Sequence, residues 1–97
     1  MCITFIITFD VKNEKLSDFA NIMSEVKSEL PKTKGCIGVT IHNSIDKPSS
    51  YTLIEMWESK KCHEKHVKNL VDTGEWDNVS SHLAGDPVGE YYKEICL

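Results

Sequence analysis

The feature that most constrains this chain is a change of hydrophobic period inside Tyr51–Leu70. Up to Trp57 the period is two. Tyr51, Leu53, Glu55 and Trp57 fall on one side of an extended segment, and Thr52, Ile54 and Met56 on the other. From Ser59 onward the period is helical. Ser59 suits the cap position, because its hydroxyl can accept from an unpaired amide of the first turn. Cys62, His63, His66, Val67 and Leu70 then recur at the spacing of an inner helical stripe. Two imidazoles therefore point toward the protein beside a strand that ends in Trp57. A functional site is expected between these two elements.

The other segments supply partners for this pair. Met1–Val11 reads as a strand, with Ile3, Phe5, Ile7, Phe9 and Val11 on one face and Ile6 at the centre of the other. Asn13 is a plausible cap, and Leu16–Leu30 carries a helical stripe of Leu16, Phe19, Ala20, Met23, Val26 and Leu30 before Pro31 stops it. Cys36–Asn43 alternates Ile37, Val39 and Ile41 with Gly38, Thr40 and His42. Ser44–Ser50 is a hairpin-type connection to the strand Tyr51–Trp57. A third, short helix is expected from Asp72, capped by that residue with Glu75 three positions on, and lined by Trp76, Val79 and Leu83. Gly85 and Pro87 end it, and Val88–Leu97 reads as a last strand.

This is the order β-α-β-β-α-(α)-β in a single domain spanning 1–97. An α+β, ferredoxin-like arrangement satisfies it, with a four-stranded antiparallel sheet and its helices on one face. The uncovered face would still show apolar residues, Ile54 and Met56 or the Ile3–Val11 row. So apolar a face is usually paired with a second sheet, which predicts a homodimer whose two sheets meet as a barrel. A chain of 97 residues buries only roughly 60–65% of its unfolded surface, so its stability is marginal, and association is a common remedy.

Composition removes several functions. A net charge of −4 argues against a nucleic-acid partner, whose phosphates need a basic face. There is no Arg, so a bidentate guanidinium clamp is impossible. The N-terminal segment lacks a basic start and a small-residue cleavage site, and no run is long enough to span a membrane. With no export signal and four scattered cysteines, a cytoplasmic protein with reduced thiols is expected. The string Cys62-His63-Glu64-Lys65-His66 is not HExxH: the second His comes one residue early and no third ligand follows, so no metal site is assigned. Lys60, Lys61, Lys65 and Lys68 read as a solvated outer face.

The run Gly35-Cys36, then Tyr51-Thr-Leu-Ile-Glu-Met-Trp-Glu-Ser, then His66-Val67, resembles the antibiotic biosynthesis monooxygenase family. That family's pattern is a Gly-Cys loop, a strand ending in Glu-x-Trp-x-Ser, and a helical His seven residues after the Ser. Glu55, Trp57, Ser59 and His66 match it, and the likeness extends over roughly Ile3 to Pro87. The resemblance implies a dimeric α/β-barrel fold and a ligand pocket between helices and sheet. Some members oxygenate polycyclic phenols or quinols with no metal and no flavin; others degrade haem, isomerise small signalling molecules or have no known reaction. In the polyketide oxygenases the strand Trp belongs to the site, and Trp57 matches it. A strand Asn four residues before that Trp is Leu53 here, a Tyr early in the helix is His63, and a later Arg has no counterpart. The proximal His of haem-degrading relatives is replaced by Trp76.

Cofactor-free oxygenation needs a substrate that ionises to an electron-rich anion, a dry aromatic pocket and a base. The candidate catalytic residues are Trp57, His63 and His66, and the candidate pocket residues are His42, Leu53, Glu55 and Trp76. Alternatives stay open for each. Trp57 can be a core residue, His66 can orient its helix through Glu55 or a carbonyl, and His63 can face solvent. The expectation is a cofactor-independent monooxygenase for a polycyclic phenol or quinol-type aromatic ligand. The alternative is a non-catalytic dimeric binding or stress-response module of the same fold, with isomerisation of a small hydroxyketone a third option.

Overall fold

The computed structural model describes residues 2–95. Seven main elements follow one another: β1 (Ile3–Asp10), α1 (Leu16–Glu29), β2 (Cys36–Asn43), β3 (Ser50–Trp57), α2 (Lys60–Thr73), α3 (Glu75–Ser80) and β4 (Val88–Tyr92). The strands form one antiparallel sheet in the order β2-β3-β1-β4, the ferredoxin-like arrangement expected from the element order.

Strand register sorts the side chains. Phe5 pairs with Glu55, Ile7 with Leu53 and Phe9 with Tyr51, so these residues share the face that the helices cover. At one end of that face the core is tight: Phe9, Val11, Phe19, Met23, Leu53 and Leu83 are buried together, and Phe19 is fully enclosed. The inner stripe of α1 delivers Phe19 and Met23 there, as its periodicity requires. On the other face Ile6 and Ile54 are half-buried, while Met56, Val88 and Tyr92 are exposed.

Several boundaries differ from the sequence expectation. Asn13–Lys15 is a 3-10 turn with no side-chain cap, and Leu30–Lys32 forms another around Pro31. A bulge between Cys36 and Gly38 takes Ile37 out of the Val39–Ile41 row and leaves it 49% exposed. Asp72 does not begin a helix; α2 runs through it to Thr73. The break comes at Gly74, whose φ of 84° is a left-handed conformation that glycine adopts without a Cβ clash. Leu83 lies beyond α3 and bridges to Val11. The last strand stops at Tyr92, and the rest of the expected Val88–Leu97 strand either leaves the sheet or, at residues 96–97, lies outside the described residues.

Candidate functional site

A cavity of about 1110 Å³ lies between the helices and the inner face of the sheet. Its walls are mainly apolar: Phe5, Ile7 and Leu53 come from the sheet, and Val26, Leu70 and Val79 from the helices. Glu55, His63, His66 and Trp76 enter it from β3, α2 and α3, and charged residues including Glu25, Lys61, Lys65 and Glu75 also line it.

Glu55 is the unusual one. It is 6% exposed, and among the described residues no Lys lies within ion-pair distance of its carboxylate. Its Oε1 accepts a hydrogen bond from Trp57 Nε1 at 3.0 Å. The two residues are two apart on one strand and therefore on one face, so the strand itself brings donor to acceptor. Burial raises the carboxyl above its ordinary pKa, and the Trp57 donor offsets part of that rise.

His63 is 3% exposed and stands beside this carboxylate, with Nε2 at 3.8 Å from Oε1. Its Nδ1 lies 2.7 Å from the Tyr91 hydroxyl on β4. The ring stacks on Phe5 at 4.1 Å between centroids and meets the edge of Trp57 at 5.4 Å. Burial, and then the neighbouring His66, bring its pKa down to about 4, so it is neutral at physiological pH. His66 is half-buried over Trp57, with centroids 5.1 Å apart, and has no hydrogen-bond partner among the described residues. Burial lowers its pKa too, with Glu75 pulling the other way.

Two glycines set this geometry. A Cβ on Gly89 would come within 2.5 Å of the Phe5 ring, so the bare backbone of β4 is what lets Phe5 lie under His63. At Gly35 a Cβ would meet Cys62 Cβ and Sγ at 2.6 Å; this close approach seats the first turn of α2 against the β2 loop. Ser59 caps that turn by accepting from the Cys62 amide at 3.2 Å, as its sequence position implied.

The candidate residues separate into three groups. Glu55, His63, His66, Leu53 and Trp76 all line the cavity. Trp57 does not line it: fully buried, it sits behind the histidines and reaches the cavity through Glu55. His42 is on the opposite, open face, paired with Thr52, exposed, and 3.0 Å from Thr40 Oγ1. Its assignment to the pocket is therefore corrected, for the reason that it alternates with Val39 and Ile41, which face the helices. Of the alternatives open for His66, a hydrogen bond to Glu55 or to a carbonyl, neither forms among the described residues; His63 is the imidazole beside that carboxylate. Tyr91 was not singled out from sequence, because only the pairing of Phe5 with Tyr91 across β1 and β4 brings it to the site. Among the described residues no three Cys, His, Asp or Glu side chains converge in a way that could hold a metal ion.

The chain is thus an α+β, ferredoxin-like domain with a cavity between its helices and its antiparallel sheet. The antibiotic biosynthesis monooxygenase family matches residues 2–72, and the chain belongs to that family. Solved structures agree in fold. A conserved protein of Methanosarcina mazei is 21% identical, with a TM-score of 0.85 over 98% of this chain and 94% of that one. A Bordetella bronchiseptica protein assigned by name to the antibiotic biosynthesis monooxygenases is 26% identical, with a TM-score of 0.81 over 98% of both chains. SnoaB of Streptomyces nogalater, a cofactor-independent oxygenase, is 14% identical, with a TM-score of 0.82 over 99% of this chain and 95% of its own. Comparison with curated protein sequences finds no match.

Proposed function

We propose that the protein is a cofactor-independent monooxygenase whose substrate is a polycyclic phenol or quinol-type aromatic. The observation that carries this reading is Glu55, a buried carboxylate with a raised pKa on the wall of a cavity of about 1110 Å³. A cavity of that size accepts a fused-ring ligand. Phe5, Ile7 and Leu53 flank the carboxyl with apolar surface, and a carboxyl shifted toward neutrality is suited to take a phenolic proton and give it back.

The steps balance without a cofactor. Glu55 takes the phenolic proton, and the phenolate passes one electron to O2. The resulting superoxide and aryloxyl radical join at the ring carbon para to the oxygen. Glu55 returns its proton to the distal peroxide oxygen. Loss of the ring C–H proton and cleavage of the O–O bond leave a quinone carbonyl and one water. One atom of O2 stays in the product. His66, at the cavity wall and without a hydrogen-bond partner among the described residues, is a second acceptor for a substrate hydroxyl, and Trp57 holds Glu55 in place.

Oxygen uptake by metal-free protein with phenols, anthrones and quinols tests this. Substrate-dependent uptake above autoxidation, reduced about 10²–10⁴-fold in Glu55→Gln, is the expected result. Absence of uptake across the panel overturns it. The second reading, a binding module without chemistry, is favoured by Leu53, which lines the cavity where the polyketide oxygenases place an Asn. It predicts ligand-induced quenching of tryptophan fluorescence with no oxygen consumed.

The assembly proposed is a cytoplasmic homodimer. Ile6, Ile54, Met56 and Tyr92 form an apolar patch on the open sheet face, which a second copy would cover. A monomer by light scattering at micromolar concentration would overturn that assembly. No helix among the described residues is long and apolar enough to cross a membrane.

A further inference from the structure

Tyr91 has no part in the reaction above, yet its hydroxyl lies 2.7 Å from His63 Nδ1. The other ring nitrogen, Nε2, faces Glu55 Oε1 at 3.8 Å. A neutral imidazole has one N–H and one lone pair, so whatever Tyr91 does at one nitrogen determines what Glu55 meets at the other. The phenol has a single hydrogen, and Nδ1 is its one partner among the described residues. Burial, with Glu64 and Glu55 nearby, raises the Tyr91 pKa and keeps that hydrogen in place.

The geometry points to Tyr91 as a positioning residue: it donates to His63 Nδ1, places the ring proton on Nε2, and so holds Glu55 as an ionised base. The inference rests on Glu55 being the base of the proposed reaction. In this tautomer the Trp57 N–H bonds the carboxylate at 3.0 Å and the His63 Nε2–H stands 3.8 Å from it, close enough for its dipole to favour the charged form, with no Lys within ion-pair distance among the described residues. In the opposite tautomer a lone pair would stand 3.8 Å from Glu55 and disfavour its charge, so that the carboxyl would keep its own proton to higher pH. A protonated Glu55 cannot accept from a phenol. The same side chains thus make a base or an acid according to one hydrogen on Tyr91.

The surroundings leave few competitors. The titratable groups facing His63 are Glu55 from β3, His66 from α2 and Tyr91 from β4, while β1 supplies the uncharged ring of Phe5. Lys60 lies over the Tyr91 ring at 5.0 Å, where a cation makes the hydroxyl a stronger donor, and Glu64 opposes it.

Imidazole ¹⁵N and carboxyl ¹³C NMR on the intact protein test this. The expected result is an Nε2–H tautomer for His63 in the wild type. In Tyr91→Phe the tautomer becomes mixed or reversed, and the Glu55 titration midpoint rises by on the order of one pH unit, a tenfold fall in its ionised fraction below the midpoint. Where a substrate is turned over, the acid limb of kcat/KM moves with it. An Nδ1–H tautomer in the wild type overturns the inference, and that measurement decides even if the variant does not fold. An unchanged tautomer and Glu55 midpoint in a folded Tyr91→Phe overturns it as well. Neither NMR readout needs turnover, so a failed oxygenase assay with the expected tautomer would sink the reaction and leave the role of Tyr91 standing.

Discussion

The inner row of β1 has two ends that differ in kind. At Phe9 and Val11 the helices press on the sheet, with Phe9 and Phe19 meeting edge to face at 5.7 Å between centroids, and Phe9, Met23 and Leu53 mark where this packed cluster borders the cavity. At Phe5, four residues earlier on the same face, an imidazole takes the place of a hydrocarbon and a carboxylate sits opposite across the strand pair. One end behaves as a core and the other as a cavity wall. The comparison teaches that a small domain can hold a large cavity beside a packed cluster on a single sheet face, with Phe9, Met23 and Leu53 belonging to both.

The largest effect expected from breaking this division is at the packed end. Phe19→Ala removes a fully buried ring and should cost about 3–5 kcal/mol of unfolding free energy in urea denaturation. A cost below about 1 kcal/mol would mean that the end is not rigidly packed. Gly89→Ala strikes the other end. The added Cβ, 2.5 Å from Phe5, must displace the ring that carries His63, with an overpacking cost of about 1–3 kcal/mol. Its sharper readout is a changed His63 ¹⁵N spectrum, since Phe19→Ala should leave that spectrum alone.

A third test uses pH. The folded pKa of His63 is brought down to about 4, below its ordinary value of 6.5, so between these values the unfolded chain binds a proton that the folded one refuses. The stability it contributes is therefore complete above the ordinary value and is lost as pH falls from about 6.5 to about 4. His66 is shifted in the same direction and adds to this slope. Glu55 is raised, so its contribution has the opposite sign: it is present at low pH and lost as pH rises through the folded value. His63→Phe should flatten the acid limb of stability against pH, and Glu55→Gln should steepen it. Identical slopes in the wild type and His63→Phe would show that the imidazole is not buried.

How much of this division can be read in the sequence depends on the range of the contacts involved. The β3–α2 pair is legible because its signals are local: a period of two, a Ser cap and a helical stripe. The Trp57–Glu55 bond follows from strand parity alone. Which imidazole meets Glu55 is not local. The rotation of α2 depends on how closely Cys62 approaches Gly35, residues far apart in the chain, and that contact brings His63 rather than His66 to the carboxylate. The Ile37 position is hidden because a bulge leaves no mark in the alternation. Tyr91 needs the β1–β4 register, which no stretch of sequence encodes by itself.

The smallest expected effect completes the comparison from the opposite face. His42 carries the same side chain as His63, but its strand parity sends it away from the helices, where it is exposed and reaches Thr40 Oγ1 at 3.0 Å. Exposed hydrogen bonds of this kind contribute little, because water replaces either partner. His42→Ala should change unfolding free energy by no more than about 0.5 kcal/mol and leave oxygen uptake and the acid limb of stability as they are in the wild type. A loss of activity in His42→Ala would mean that the open face takes part in the site, which would require a neighbouring copy to bring it there. Measured beside His63→Phe, the variant separates the effect of an imidazole as such from the effect of an imidazole enclosed between Phe5, Trp57 and Tyr91.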